Sequence, residues 1–257
     1  MVNELEYIFM KRKFFYFCLM LMAAIAYSCA EGTLYDDGGG AVEPAPAPAA
    51  PALTLTLNKS GEVVVEVIGT GSITIDWGDG KAKEIHTISN STSFRNVYSG
   101  SVSRTITISG ANITRLNCSA NRITQLNIDE ISTLAHLLCS NNDLENLDAS
   151  KNTRLVTLLC NDNKLSSLSV SANTFLQTLY CDNNQLTELS VAQNTALQAL
   201  KCSFNNMNAS ALDALLSTLH GNPITGGKTV IINNNPGVDS YRNKNVAESR
   251  GWEVVDN

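Results

Sequence analysis

Five cysteines, Cys118, Cys139, Cys160, Cys181 and Cys202, recur every 21 residues, a row that could bind a soft metal or form disulfides. Geometry argues against both. Side chains at the same position of stacked strands lie about 4.8 Å apart, beyond the roughly 3.5–4.5 Å between Cβ atoms that a disulfide prefers. An odd number of thiols also cannot pair completely. Cysteine buried in a core packs as a small hydrophobe, and that is the role expected of this row. His86, His136 and His220 fall in separate elements. The chain holds no Ser/His/Asp arrangement, His-x-x-x-His pair or Gly-rich phosphate loop. Asp76 and Asp79 could begin a calcium site, but calcium takes about six to eight oxygens, and such residues more often order a turn. The net charge is −6, without the Lys/Arg clusters that phosphate backbones demand. The expectation is a chain that is not an enzyme, with no metal, no cofactor and no nucleic-acid partner.

The elements around the cysteines repeat with them. Leu116, Leu137, Leu158, Leu179 and Leu200 stand two residues before each Cys. Ile113, Leu134, Leu155, Leu176 and Leu197 stand five before, and Asn121, Asn142, Asn163, Asn184 and Asn205 three behind. The unit Leu-x-x-Leu-x-Cys-x-x-Asn-x-Leu-x-x-Leu closely resembles the leucine-rich repeat. The resemblance implies an α/β solenoid, β-rich, whose short parallel strands point Leu and Cys inward. Each strand is followed by a turn whose amides no neighbouring strand reaches. A buried Asn, with two donors and an acceptor, can satisfy that backbone and the next repeat's, so the Asn row is expected to be a structural ladder. Asn152, Asn173 and Asn194 are expected to form a second ladder on the convex side. Of the chain's 28 Asn, 24 lie at or after Asn112.

After Asn205 the period breaks. Ser210 and Asp213 read as a capping box opening a helix whose apolar face is Leu212, Leu215, Leu216 and Leu219. A strand at Thr229–Ile232, a helix over about 240–250 and a last strand from Trp252 to Val255 follow, with Val254 set 22 residues after Ile232. These elements are expected to cap the C-terminal end of the core within a repeat domain of residues 111–257.

Ahead of the repeats, residues 52–110 hold short alternating runs (Leu53–Leu57, Val63–Val67, Ile73–Trp77, Thr105–Ile108) that read as antiparallel strands. Asp79-Gly80 is a hairpin signal. The string Ile73 to Gly80, with Asn96-Val97-Tyr98 and Arg104–Ile108, resembles a PKD-like immunoglobulin sandwich. Ile106 and Ile108 are expected to close the N-terminal end of the solenoid.

Lys11, Arg12 and Lys13 precede an apolar stretch, Phe14–Ala26. Thirteen helical residues rise about 20 Å, too little for a hydrocarbon core of about 30 Å, so residues 1–28 read as an export signal. Ala26-Tyr27-Ser28-Cys29 resembles a bacterial lipobox, which implies lipid attachment at Cys29. Residues 29–51, with Pro44, Pro46, Pro48 and Pro51 among alanines, then form a semi-rigid spacer. Lipobox, cysteine-bearing repeats and the C-terminal Asn-Asn-Pro-Gly and Gly-Trp-x-Val together resemble Gram-negative leucine-rich repeat lipoproteins. The resemblance implies outer-membrane anchoring through the lipid alone, with display on the cell surface.

The concave strand face carries the column Asn117, Leu138, Leu159, Tyr180, Lys201, Ile231 and beside it Arg115, His136, Thr157, Thr178, Ala199, Thr229. Leu138, Leu159 and Tyr180 are expected to stack as an exposed apolar patch edged by Arg115, His136, Asp182 and Lys201. The first reading is a protein-binding module. Glycan capture, with Tyr180 and Phe204 as the aromatic candidates, and a purely structural envelope component are the alternatives.

Overall fold

The computed structural model describes residues 50–110 and 112–257. The export signal, Cys29 and all of the spacer but Ala50 and Pro51 lie outside the described residues.

Strands β1 (Ala52–Leu57), β2 (Gly61–Gly69), β3 (Gly71–Asp76), β4 (Glu84–Ile88), β5 (Ser91–Tyr98) and β6 (Arg104–Gly110) make the first part. Their alternation puts Leu53, Leu55, Leu57, Val63, Val65, Val67, Ile73 and Ile75 entirely inside. The repeats add β7 (Ile113–Asn117), β8 (Ile123–Asn127), β9 (His136–Leu138), β10 (Thr157–Leu159), β11 (Thr178–Tyr180) and β12 (Ala199–Lys201). Helix α1 (Ala209–Thr218), β13 (Lys228–Ile231), α2 (Lys244–Ser249) and β14 (Trp252–Val255) complete the chain.

Two sheets run through both parts. One has the order β4-β3-β6-β1-β8; the other, of nine strands, has the order β14-β13-β12-β11-β10-β9-β7-β2-β5. From β7 to β14 the nine-stranded sheet is parallel, as the repeat demands, and β2 and β5 continue it antiparallel. The junction is therefore sheet pairing on both faces: Val67 opposes Leu116 in one sheet and Leu55 opposes Leu126 in the other. One apolar core extends from Leu53 to Val254. Ile106 and Ile108 are buried, but β6 pairs with β1 and β3, so β1 and β2 are the strands that close the solenoid's first repeat.

The Asn ladder is built hydrogen bond by hydrogen bond. Asn163 Nδ2 donates to the carbonyls of Cys139 (3.0 Å), Cys160 (3.1 Å) and Asn161 (3.2 Å), and its Oδ1 accepts from Leu144 N (3.0 Å). Asn142, Asn184 and Asn205 repeat the pattern. The reach is to the preceding repeat rather than to the following one expected from the spacing, because the amide points back along the stack toward the previous Cys carbonyl. The first rung grips the antiparallel part instead: Asn121 accepts from Val64 N (3.2 Å) and donates to Val64 O (2.7 Å). On the convex side Asn173 donates to Ala149 O and Asn152 O, and Asn194 to Val170 O and Asn173 O. Ile131, where the first repeat departs, supplies an acceptor to Asn152.

Three expectations are corrected. Asp79-Gly80 is not a two-residue turn: Ile75 pairs with Glu84, so a longer loop intervenes, with positive φ at Gly78 and Gly80 rather than at Asp79. Within it Asp76 Oδ1 accepts from Gly78 N, and Asp79 accepts from Lys81 N, Lys81 Nζ and Asn96 Nδ2. The bond from Lys81 is the main reason the Asp79 carboxyl is held down to about 2. Helix α1 is capped by Asn208, whose side chain accepts from Ala211 N, not by a Ser210/Asp213 box. Asp213 instead accepts from the amides of Arg242 and Asn243, about thirty residues on. Those amides are taken before α2 begins, which shortens the expected helix to Lys244–Ser249. Val254 pairs with Val230, which pairs with Leu200, so Val254 fills the Leu position of the repeat.

Candidate functional site

The cysteines do no surface chemistry. All five are fully buried and free of disulfides. Burial raises every thiol of the row, Cys118 and Cys202 to about 12, so the reactive thiolate is suppressed at neutral pH. The thiols point along the stack, Cys118 Sγ toward Leu138 O (3.6 Å) and Cys181 Sγ toward Lys201 O (3.4 Å). Among the described residues, no three His, Cys, Asp or Glu side chains converge as a metal ion requires.

The open face of the nine-stranded sheet presents its side chains in aligned rows. Register aligns Asn117, Leu138, Leu159, Tyr180, Lys201 and Ile231 in one row, and Arg115, His136, Thr157, Thr178, Ala199 and Thr229 in the next. Both rows continue onto the antiparallel part, through Glu66 to Ser93 and through Ile68 to Ser91. The repeat spacing does not announce this continuation, because β2 has no Leu-x-x-Leu signal.

Leu138, Leu159 and Tyr180 are adjacent but half-buried, where free exposure was expected. Rows at strand spacing shield one another, and the Lys201 ammonium sits 4.3 Å from the centre of the Tyr180 ring. Arg115 lies directly beside His136 at one end of the patch; Tyr180 and Lys201 adjoin at the other, with Asp182 on their flank. His136 is shifted toward its neutral form, first by burial and then by the charge of Arg115. Burial, with the nearby charge of Asp162, raises Asp182. The flank is tighter than a purely exposed edge: Ser140 and Ser203 are buried, and Ser140 Oγ donates to Asn161 Oδ1 at 2.6 Å.

Phe204 stands out against its own column. The residue before each ladder Asn adopts a left-handed backbone: Ala120 (φ 60°), Asn141 (55°), Asp162 (55°), Asn183 (51°), Phe204 (50°) and Asn234 (58°). Asn and Asp tolerate that region; a bulky aromatic does not. Phe204 is also 51% exposed, so burial does not compensate. Strain and exposure thus coincide at one side chain. Phe204→Asn is expected to stabilise the fold by about 1 kcal/mol, read as a raised urea midpoint at unchanged slope. A lowered midpoint would show that the ring packs for stability instead. Setting the six residues side by side by repeat position is the signal that exposes this outlier in the sequence.

No protein-family model matches the chain, and no curated protein matches it. Among solved structures, the functional domain of InlJ from Listeria monocytogenes, described as including a cysteine ladder, is similar at 30% identity and a TM-score of 0.38. That match covers 48% of this chain and 30% of that one. An internalin, InlF, from Listeria monocytogenes strain 4b F2365 is similar at 17% identity and a TM-score of 0.35, covering 48% of this chain and 42% of that one. The chain thus spans less than half the length of each.

Proposed function

We propose that the chain is an anchored interaction module that binds a protein partner through the open face of its nine-stranded sheet. The observation that carries this reading is the in-register apolar row Leu138, Leu159 and Tyr180, set between Arg115 and Lys201. An apolar centre with a polar and charged rim is the composition of protein interfaces, and Tyr and Arg dominate their binding energy. Phe204 adds an aromatic beyond Lys201. A glycan platform needs an open aromatic face, and that of Tyr180 is covered by Lys201. Lipid at Cys29 and the Pro/Ala spacer would present this face away from a bacterial outer membrane, on the cell surface.

Two measurements test the proposal. Leu138→Asp/Tyr180→Ala is expected to weaken partner binding roughly a hundredfold, about 2.7 kcal/mol, at unchanged thermal stability. Unchanged affinity would remove the face from consideration, and affinity only for glycans would favour the carbohydrate reading. Cys29→Ala is expected to release the protein from the membrane fraction, while the wild type is cleaved by proteinase added to intact cells. Protection until the outer membrane is opened would place the face in the periplasm.

A further inference from the structure

His220 follows helix α1 at the seam with the last two strands, and both of its ring nitrogens are committed. Nε2 lies 2.8 Å from Leu197 O, which can only accept, so Nε2 carries the proton. Nδ1 lies 3.1 Å from the amide nitrogen of Asn222, which can only donate, so Nδ1 offers its lone pair. The neutral Nε2–H tautomer satisfies both partners. An imidazolium does not: its second N–H would point at the Asn222 N–H, and both donors would be left without an acceptor. The ring is held edge-on against Trp252, with centres 5.5 Å apart. Its charged neighbours are cations. Lys228 Nζ donates to His220 O at 3.3 Å, and the Arg250 guanidinium donates to Leu219 O at 2.7 Å. The carboxylates of the surrounding elements are engaged elsewhere or exposed. Asp213 on α1 accepts from the amides of Arg242 and Asn243, Glu253 on β14 accepts from Thr229 Oγ1, and Glu248 on α2 is exposed.

We propose that His220 is a proton-operated latch on the C-terminal cap, holding it shut as the neutral Nε2–H tautomer and releasing it when Nδ1 takes a proton. The residue it holds is a tie point. Asn222 Nδ2 donates to Thr195 O at 3.1 Å, and Asn222 O accepts from Lys228 Nζ at 2.9 Å, at the start of β13. Losing the Asn222 amide bond therefore loosens the anchor of β13. That strand carries Thr229 and Ile231, so opening the cap also removes the C-terminal end of the open-face rows. The latch does not depend on what the face binds. Once the cap opens, the imidazole takes a proton at the ordinary value of about 6.5. The closed form takes one only by breaking the Asn222 bond. Closure is thus at full strength above that value and weakens as pH falls through it.

The test is amide exchange of the full chain near pH 7.5 and near pH 5.5, corrected for the intrinsic effect of pH on exchange. Over that interval an imidazole titrating at about 6.5 goes from almost wholly neutral to about nine-tenths charged, so the opened cap should become roughly tenfold more populated. Exchange in β13, α2 and β14 is expected to quicken by that factor, with β10 and β11 unchanged. His220→Gln supplies a donor and an acceptor but no site for a proton, and should flatten the pH dependence. Ring 15N shifts of the histidine-labelled wild type give a reading that needs no variant: the Nε2–H tautomer at pH 7.5, with protonation tracking the quickened exchange. An Nδ1–H tautomer, pH-independent exchange in the cap, or the same acceleration in His220→Gln overturns the proposal. Acceleration shared equally by β10 and β11 also overturns it, because His136 on β9, shifted toward its neutral form, would then be loosening the repeats as a whole.

Discussion

Asn163→Asp is expected to cost about 4 kcal/mol at neutral pH, although it exchanges one NH2 for one oxygen. Asn163 is buried and donates to three carbonyl oxygens. A carboxylate there would face those oxygens with no cation to balance it. The penalty carries a pH signature. Burial among carbonyls raises the folded pKa of the new carboxyl above its unfolded value of about 3.9, so the folded state binds the proton more tightly. Below about pH 4 both states are protonated and only lost hydrogen bonds are felt. As pH rises from there, stability relative to wild type falls by about 1.4 kcal/mol per unit until the folded pKa is passed. Urea midpoints of both proteins at pH 4 and pH 7 measure this, and an equal deficit at the two values would contradict it. Asn163→Ala should cost less, about 2–3 kcal/mol, because the ladder is doubly wired. Cys139 O keeps its bond from Asn142, and Cys160 O its bond from Asn184, so Leu144 N is the group left without its side-chain acceptor.

The second large effect lies at the C-terminal end of the core. Lys228 is buried, and its Nζ donates to Arg250 O (2.5 Å), Asn222 O (2.9 Å) and His220 O (3.3 Å). It also lies 5.6 Å from the Trp252 ring centre. One ammonium thus ties the segment after α1 to the residue that ends α2. His220 O retains the Trp252 indole N–H, but the other two carbonyls lose a charge-assisted donor if the ammonium goes. Lys228→Met keeps the stem and is expected to cost about 3 kcal/mol. Solenoid repeats contact chiefly their neighbours, so the damage should be local. Amide exchange should quicken in β13, α2 and β14 and leave β9 and β10 near wild type. Uniform loss of protection would show that the cap and the repeats unfold as one unit.

What was legible in the sequence divides along the same physical line. Leu137, Cys139 and Asn142 each meet a requirement that recurs in every repeat, so their spacing spelled out strand, interior and turn before any coordinates. Features formed once had no such echo. The bond of Asn121 to Val64, the pairing of Asp213 with the amides of Arg242 and Asn243, and the continuation of the open face onto Glu66 and Ile68 all join residues far apart in sequence. Nothing local in either partner announces the other. Asp79-Gly80 misled for the opposite reason: a strong local turn signal was absorbed into a longer loop fixed by Tyr98, whose hydroxyl donates to Trp77 O, and by Asn96. At the candidate site the rows were readable, since strand alternation dictates them. The half-burial of Leu138 and Leu159, the cover of Tyr180 by Lys201 and the burial of the Arg115 Nε depend on neighbours in three dimensions.

The most direct measurement is site-specific photo-crosslinking in intact cells. A photoreactive residue is placed at Leu159, in the middle of the apolar row, and in a second protein at Ser167, exposed on the convex side. Crosslinking from position 159 to one defined protein, suppressed by Leu138→Asp/Tyr180→Ala and absent from position 167, is the predicted result. Crosslinks to a protein from position 167 with none from 159 would contradict the assignment of the open face as the binding surface.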